Sequence, residues 1–196
     1  MKKKVLIGII LLCLVGVILF LGFRKKIQNN AGNIVETNNN TTYELRSYTT
    51  SKTFYITGPK GYKYDEDRTG TWNSKAVFDK SNKIDTSLTY SFESSEMDEY
   101  FESRKRVSYE KRLDSDYYKN LTWQDTKTLM VNGNQITYVK ITYNDGSTYY
   151  NDIYSMVTVH GWTICCEITQ YGESNDFDSD SKLLKEAWEI SFTEED

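Results

Sequence analysis

Hydrophobic positions along this chain fall into three regimes. Val5 to Phe23 (VLIGIILLCLVGVILFLGF) is nineteen residues without a charge, with Lys2, Lys3 and Lys4 before it and Arg24, Lys25 and Lys26 after. At 1.5 Å of rise per residue it spans about 30 Å as a helix, the thickness of a bilayer's hydrocarbon core. Residues 27–50 show no sustained period and are rich in Asn and Thr, which predicts a flexible tether. From Lys52 a period of two sets in. Thr53-Phe54-Tyr55-Ile56 reads as a strand closed by the turn cluster Gly58-Pro59-Lys60-Gly61. Trp72–Asp79 and Ile84–Phe92 read as two more, separated by a turn at Lys80-Ser81-Asn82-Lys83.

The alternation is most regular between Leu121 and Tyr171. Asn132-Gly133 and Asp145-Gly146 are strong hairpin signals, because a type I′ turn needs φ > 0 at both central residues. His160-Gly161 is a third candidate. Two-residue turns at all three set Leu129 opposite Ile136, Tyr138 opposite Ile153, Val157 opposite Ile164 and Val159 opposite Trp162. Cys166 then faces Ser155, and Ile168 faces Ile153. All of these fall on one side of a four-stranded meander, a coincidence that a one-residue slip would destroy. The other side carries Val139, Ile141, Tyr143, Tyr150, Tyr154, Met156, Cys165 and Glu167. It is either a tyrosine-rich recognition surface or a face that the last helix or the tether covers.

Two segments follow the helical period instead. Ser94 or Ser95 caps a charged stretch from Glu96 to about Tyr118, with Met97, Tyr100, Phe101, Arg104 and Val107 on one face. Ser179 caps a second, striped by Leu183, Leu184, Ala187 and Trp188. A short strand, Glu189–Phe192, ends the domain. The fold class is α+β: one transmembrane helix, then an antiparallel sheet of six or more strands layered with two main helices. The domains are residues 1–26 (anchor), 27–50 (tether) and 51–196 (a single α+β domain).

Composition changes the picture in two ways. All 28 acidic residues lie beyond position 27, against eighteen Lys/Arg there, so the part after the anchor carries a net charge of −10. That excludes nucleic acid, which needs clustered cations. Three cysteines, one in the apolar run and two adjacent, cannot form a disulfide framework. Adjacent strand residues point to opposite faces, so Cys165 and Cys166 read as a surface-side and a core-side free thiol. This usage suits a bacterial surface protein, and the Asn-x-Thr triplets at Asn39, Asn40 and Asn120 then carry no glycan. A cleaved signal would have a shorter run and a small-x-small site, and a lipoprotein signal a small residue before Cys13 where Leu12 stands. The uncleaved anchor is the expectation. Three basic residues on each side leave its orientation unset by charge. The short N-terminal tail and the exported character of the rest predict N-in with the domain outside the cell membrane.

Phe54-x-Ile56 followed by Pro59-x-Gly61-Tyr62 opens the domain. A two-strand segment, a long helix, a meander with Asn132-Gly133, a last helix and a closing Ile190-x-Phe192 strand follow. Over residues 52–194 this resembles the PsbP-like family, found in photosystem accessory proteins and in bacterial surface proteins, here of the membrane-anchored Gram-positive type. The resemblance implies an antiparallel sheet layered with helices. It implies no catalytic set and no photosystem role.

The chemistry is sparse. The single histidine, His160, sits at a turn tip several residue pairs from Cys166, too far for a Cys-His couple. Asp176-x-Asp178-x-Asp180 resembles the start of a calcium loop, but Ser181 stands where the turn wants glycine and Ala187 where a bidentate glutamate belongs. Acidic residues at a helix start have a dipole explanation. Asp65-Glu66-Asp67 reads as a solvated charge run. No cofactor and no metal are implied. The favoured expectation is a non-enzymatic, membrane-tethered binding module, with Tyr143, Tyr150 and Tyr154 as contact residues for another envelope protein, a peptide or a glycan. The rival is a glycan-directed hydrolase using Asp152 and Glu167, diagonal neighbours at about 5–7 Å across the last hairpin.

Overall fold

The strands form two antiparallel sheets, in a computed structural model that describes residues 35–194 except 38, 39, 48–51, 71, 94–96, 115–118 and 160. Numbered in chain order, Val35–Thr37 (β1), Asn40–Arg46 (β2), Thr53–Thr57 (β3) and Phe192–Glu194 (β12) make a four-stranded sheet, β1-β2-β3-β12. The larger sheet takes Lys63–Tyr64 (β4), Lys75–Lys80 (β5), Asp85–Glu93 (β6), Lys119–Trp123 (β7), Lys127–Val131 (β8), Asn134–Asn144 (β9), Tyr149–Val159 (β10) and Trp162–Gly172 (β11). Its order is β4-β5-β6-β11-β10-β9-β7, with β8 pairing the first half of β9 and β7 the second. The helices are Glu66–Thr69 (α1), Met97–Asp114 (α2) and Asp180–Trp188 (α3). This is the α+β class expected, but the antiparallel strands divide between two sheets rather than one, and β1, β2, β4 and α1 are additional elements. The apolar run Val5–Phe23 and residues 27–34 of the tether lie outside the described residues. Among those described, no helix is long and apolar enough to cross a membrane.

Period two explains the core. Ile136, Ile153, Val157, Ile164, Cys166 and Ile168 leave one face of the large sheet together with Phe78, Leu88 and Tyr90. They meet Leu183, Leu184, Ala187 and Trp188 of α3 and Leu45 and Ile56 of the small sheet. The helix is held in place by polar contacts as well as apolar ones. Ser179 Oγ accepts from Lys182 N as its cap. Trp188 Nε1 donates to Ser155 Oγ (3.1 Å), which donates to the Cys166 carbonyl (2.8 Å), and Tyr90 donates to the Ala187 carbonyl. Gly58 fits closely where the chain turns over this core, since a Cβ there would lie 3.1 Å from the Tyr43 ring and 3.2 Å from that of Phe78.

The opposite face forms a second cluster. Val139, Ile141, Tyr154, Met156 and Cys165 pack with Leu121 of β7 and with Tyr100 and Phe101 of α2. The cover is therefore the long helix; the last helix lies on the other side of the sheet. Cys165, expected at the surface, is buried beneath it. Val107 on the same helix, expected on its apolar face, is exposed.

Other expectations are corrected by pairing. Asn40–Arg46 is a strand, not tether, because Tyr43 and Leu45 alternate with Thr42 and Glu44 and pair with Ile56 and Phe54 of β3. Its Asn/Thr content hides that period. The Asp145-Gly146 turn is four residues long, not two: Asn144 pairs with Tyr149, so Tyr138 faces Ser155 and Ile153 faces Lys140. The slip is by two, and every side chain keeps its face. The Leu129–Ile136, Val157–Ile164, Val159–Trp162, Ser155–Cys166 and Ile153–Ile168 pairs hold as expected. Trp72 lies in a turn ahead of β5, and the closing strand begins at Phe192. Asp65-Glu66-Asp67 starts α1, with Asp65 Oδ1 accepting from Arg68 N (3.0 Å) as its cap. His160 lies outside the described residues.

Candidate functional site

The tyrosine-rich face holds two environments, a stacked row at one sheet end and a residue packed under α2. Tyr143, Tyr150 and Tyr171 are direct cross-strand partners on β9, β10 and β11, which puts their rings side by side above one sheet end. Tyr143 and Tyr150 stack with centroids 4.7 Å apart and planes 7° from parallel. Tyr150 and Tyr171 follow at 6.3 Å and 28°. Tyr171 is 41% exposed at the end of the row. Face-to-face stacking has a consequence for binding. The flat faces that stack are taken up by one another, so a partner meets ring edges rather than those faces.

The row is positioned by the turn beside it. The Asp145 carboxylate accepts from Ser147 N (3.0 Å), Thr148 N (2.8 Å) and Ser147 Oγ (3.0 Å), which closes the four-residue loop. Its second oxygen accepts from the Tyr150 hydroxyl (3.2 Å). These donors hold Asp145 below the ordinary carboxylate range, backbone hydrogen bonds first.

Tyr154, four residues along the same strand face, has a different environment. It is 7% exposed, set edge-on to Tyr100 (6.5 Å, 73°) and parallel to Trp123 (6.5 Å, 18°). The Arg104 guanidinium lies 5.0 Å from the Tyr100 ring centre and 5.5 Å from that of Tyr154. Burial, and then the charges of Glu167 and Asp152, push the Tyr154 hydroxyl well above its usual range. Of the three tyrosines expected as contact residues, Tyr143 and Tyr150 stack on each other, while Tyr154 belongs to the α2 interface. Tyr171 and Trp123 are the members that sequence reasoning did not single out. The register that pairs Tyr154 with Glu167 also pairs Tyr150 with Tyr171, so extending it by four pairs finds the first of them.

Asp152 faces Thr169 and Ile141, and Glu167 faces Tyr154 and Thr89. The diagonal arrangement of the two acids is thus present. Asp152 is buried, and Glu167 favours the charged form of Arg104. Both sit on the face that Tyr100 and Phe101 cover, so the pair has a cation and aromatic rings over it rather than an open cleft. The Asp176-x-Asp178-x-Asp180 acids are likewise engaged separately. Asp176 faces Lys83 (3.8 Å), Asp178 pairs with Lys182 (2.8 Å) and Asp180 with Lys140 (2.8 Å). Three acids neutralised by three different lysines do not converge on one ion, and among the described residues no cluster of His, Cys, Asp and Glu could hold a metal. Cys165 and Cys166 are both buried on opposite faces, and burial raises the Cys166 thiol.

No protein-family model matches the chain, and no curated protein does. Among solved structures it is similar to the solution structure of cyanobacterial PsbP (CyanoP) from Synechocystis sp. PCC 6803. That likeness has 12% identity and a TM-score of 0.46, over 83% of this chain and 97% of that one. At this distance the likeness transfers no site and no activity.

Proposed function

We propose that this is a membrane-tethered extracytoplasmic binding module, a PsbP-like bacterial surface protein anchored by Val5–Phe23 with its N-terminus inside. The observation that carries the binding reading is the stacked row Tyr143–Tyr150–Tyr171, ordered by Asp145 and ending in the exposed Tyr171. Tyrosine ring edges lined up across three adjacent strands suit an extended peptide or protein segment. A sugar ring prefers a flat aromatic face, and stacking has largely occupied those here. The anchor and the acidic composition support an envelope partner rather than a nucleic acid.

The test is site-specific photo-cross-linking in intact cells of the full chain. A photo-reactive phenylalanine at position 171 is expected to give a discrete adduct with an envelope protein, identified by mass spectrometry. The same probe at exposed Lys60, in a distant turn, is expected to give none. Adding Tyr150→Ser should remove the adduct at 171. An adduct equally strong at Lys60, or indifferent to Tyr150→Ser, would sink the tyrosine-row proposal. The hydrolase alternative has one point in its favour, the Asp152–Glu167 diagonal. It requires α2 to lift away, and Asp152→Asn should then abolish glycan hydrolysis by the full chain.

A further inference from the structure

A strand at a sheet edge leaves backbone N–H and C=O groups without a strand partner, and proteins blunt such edges by shortness, bulges or charge. Three of the edges here are short: β4 has two residues, and β1 and β12 have three each. β7 is irregular, its register shifting between Lys119 and Thr122, with Asn120 at a positive φ of 56°. β8 carries one such device, Lys127 at its first position. Its five residues run in unbroken register against β9, and among the described residues they pair with no other strand.

The Asn132-Gly133 turn determines which groups of β8 face outward. In a two-residue hairpin the flanking residues, here Val131 and Asn134, exchange both backbone hydrogen bonds, and such pairs alternate along the ladder. Lys127, Leu129 and Val131 therefore turn their N–H and C=O groups to β9. Thr128 and Met130 turn theirs away from it. The side chains of these two are exposed as well, Met130 at 60%, and neither belongs to the tyrosine row.

We infer that β8 is a self-association edge: a second copy of this chain pairs with it, antiparallel, about a two-fold axis through Leu129. This goes beyond the binding reading and does not depend on it. In that register Thr128 lies opposite the partner's Met130, and Met130 opposite the partner's Thr128, so every outward backbone group is used. Leu129 meets the partner's Leu129 on the face where it already packs against the core. Lys127 falls opposite the partner's Val131, so no like charges face each other. The exposed methionines come within diagonal reach across the axis and cover each other. A second copy is favoured over a foreign strand because its own sequence supplies both the methionine pair and an uncharged residue opposite Lys127. Opposite residues share a face, so the tyrosine rows of both copies lie on the same side of the joined sheet. A contact of five residues a side is small, which makes the dimer weak.

Sedimentation equilibrium of the full chain in density-matched detergent, up to roughly 100 μM protein, tests this. A reversible monomer–dimer equilibrium is expected. Met130→Pro removes an outward N–H without touching the β8–β9 ladder and should weaken the dimer about tenfold, with the near-ultraviolet circular dichroism unchanged. Met130→Lys keeps the backbone intact, adds a charge at an exposed position and should weaken it as well. Hydrogen exchange read by NMR should show the Thr128 and Met130 amides gaining protection with concentration in the wild type and in neither variant. A chain that stays monomeric overturns the inference. So does a dimer indifferent to both substitutions, which places the association elsewhere. Protection of those two amides only after other envelope proteins are added, with the chain itself monomeric, assigns the edge to a foreign strand and overturns self-association.

Discussion

On one face of the large sheet the nine-residue α3 sets Leu183, Leu184, Ala187 and Trp188 against a continuous apolar layer. On the other, the eighteen-residue α2 contributes Tyr100 and Phe101 and then a charged side chain, Arg104, laid over two tyrosine rings. The same strands supply both faces, so the difference comes from the helices. A short helix with a complete stripe seals its face. In α2 the described apolar contacts are those of Tyr100 and Phe101, which meet Tyr154, and the Tyr143–Tyr150–Tyr171 row continues the same sheet face beyond Tyr154.

The comparison can be broken most directly by truncating one anchor on each face. Trp188→Ala removes an indole that packs against Tyr90 and Phe192 and donates to Ser155. It should cost about 3–5 kcal/mol in chemical unfolding. Phe101→Ala should fall at the low end of that range, about 3 kcal/mol, and act locally. Hydrogen exchange is expected to show α2 amides losing protection while those of β10 and β11 keep it. Equal costs with a single loss of protection throughout would mean that the two faces form one cooperative core.

A smaller effect tests both faces at high pH. Burial raises the hydroxyls of Tyr90 on the α3 face and of Tyr100 and Tyr154 on the α2 face. A group whose folded pKa is raised holds its proton in the folded chain and gives it up on unfolding. Its contribution is complete below the unfolded value of about 10 and is lost as pH rises beyond it. Phenolate absorbance from these residues should therefore appear together with loss of the near-ultraviolet circular dichroism. Tyr100→Phe and Tyr154→Phe together should shift that transition to higher pH. An unmoved transition would place the alkaline weakness on the α3 face alone.

The smallest effect belongs to the turn that orders the row. Asp145 is held below its ordinary range, so its stabilising hydrogen bonds are complete above the unfolded value of about 4 and are lost as pH falls through the depressed folded one. Asp145→Asn is expected to lower the thermal midpoint slightly at neutral pH. The gap to wild type should close in acid. A gap that stays constant with pH would show that the carboxylate charge is not what organises the loop.

Much of this architecture is legible because strand alternation is local. Asn132-Gly133 takes the positive φ values of its turn, 51° and 81°, and the pairs counted outward from it and from the last hairpin are those observed. The Asp145 loop misplaces its register by two, since its side chain stabilises a longer turn than Asp-Gly suggests. The faces survive because two is the period of the strand. The β2 strand was hidden for the opposite reason. Tyr43 and Leu45 carry its whole apolar signal amid Asn and Thr, and only pairing with β3 reveals it.

Tyr150 and Tyr154 mark the limit. They are the same residue type, on the same strand and the same face, and nothing in their immediate sequence separates one from the other. The chain by itself determined the two alternating faces, the stripe of α3 and the apolar run ahead of the domain, each a property of neighbours within a few residues. Tertiary structure alone decided which tyrosine is buried, because that depends on where a helix fifty residues earlier in the chain lays Tyr100 and Phe101. That placement is set by packing between distant segments, which no local period encodes.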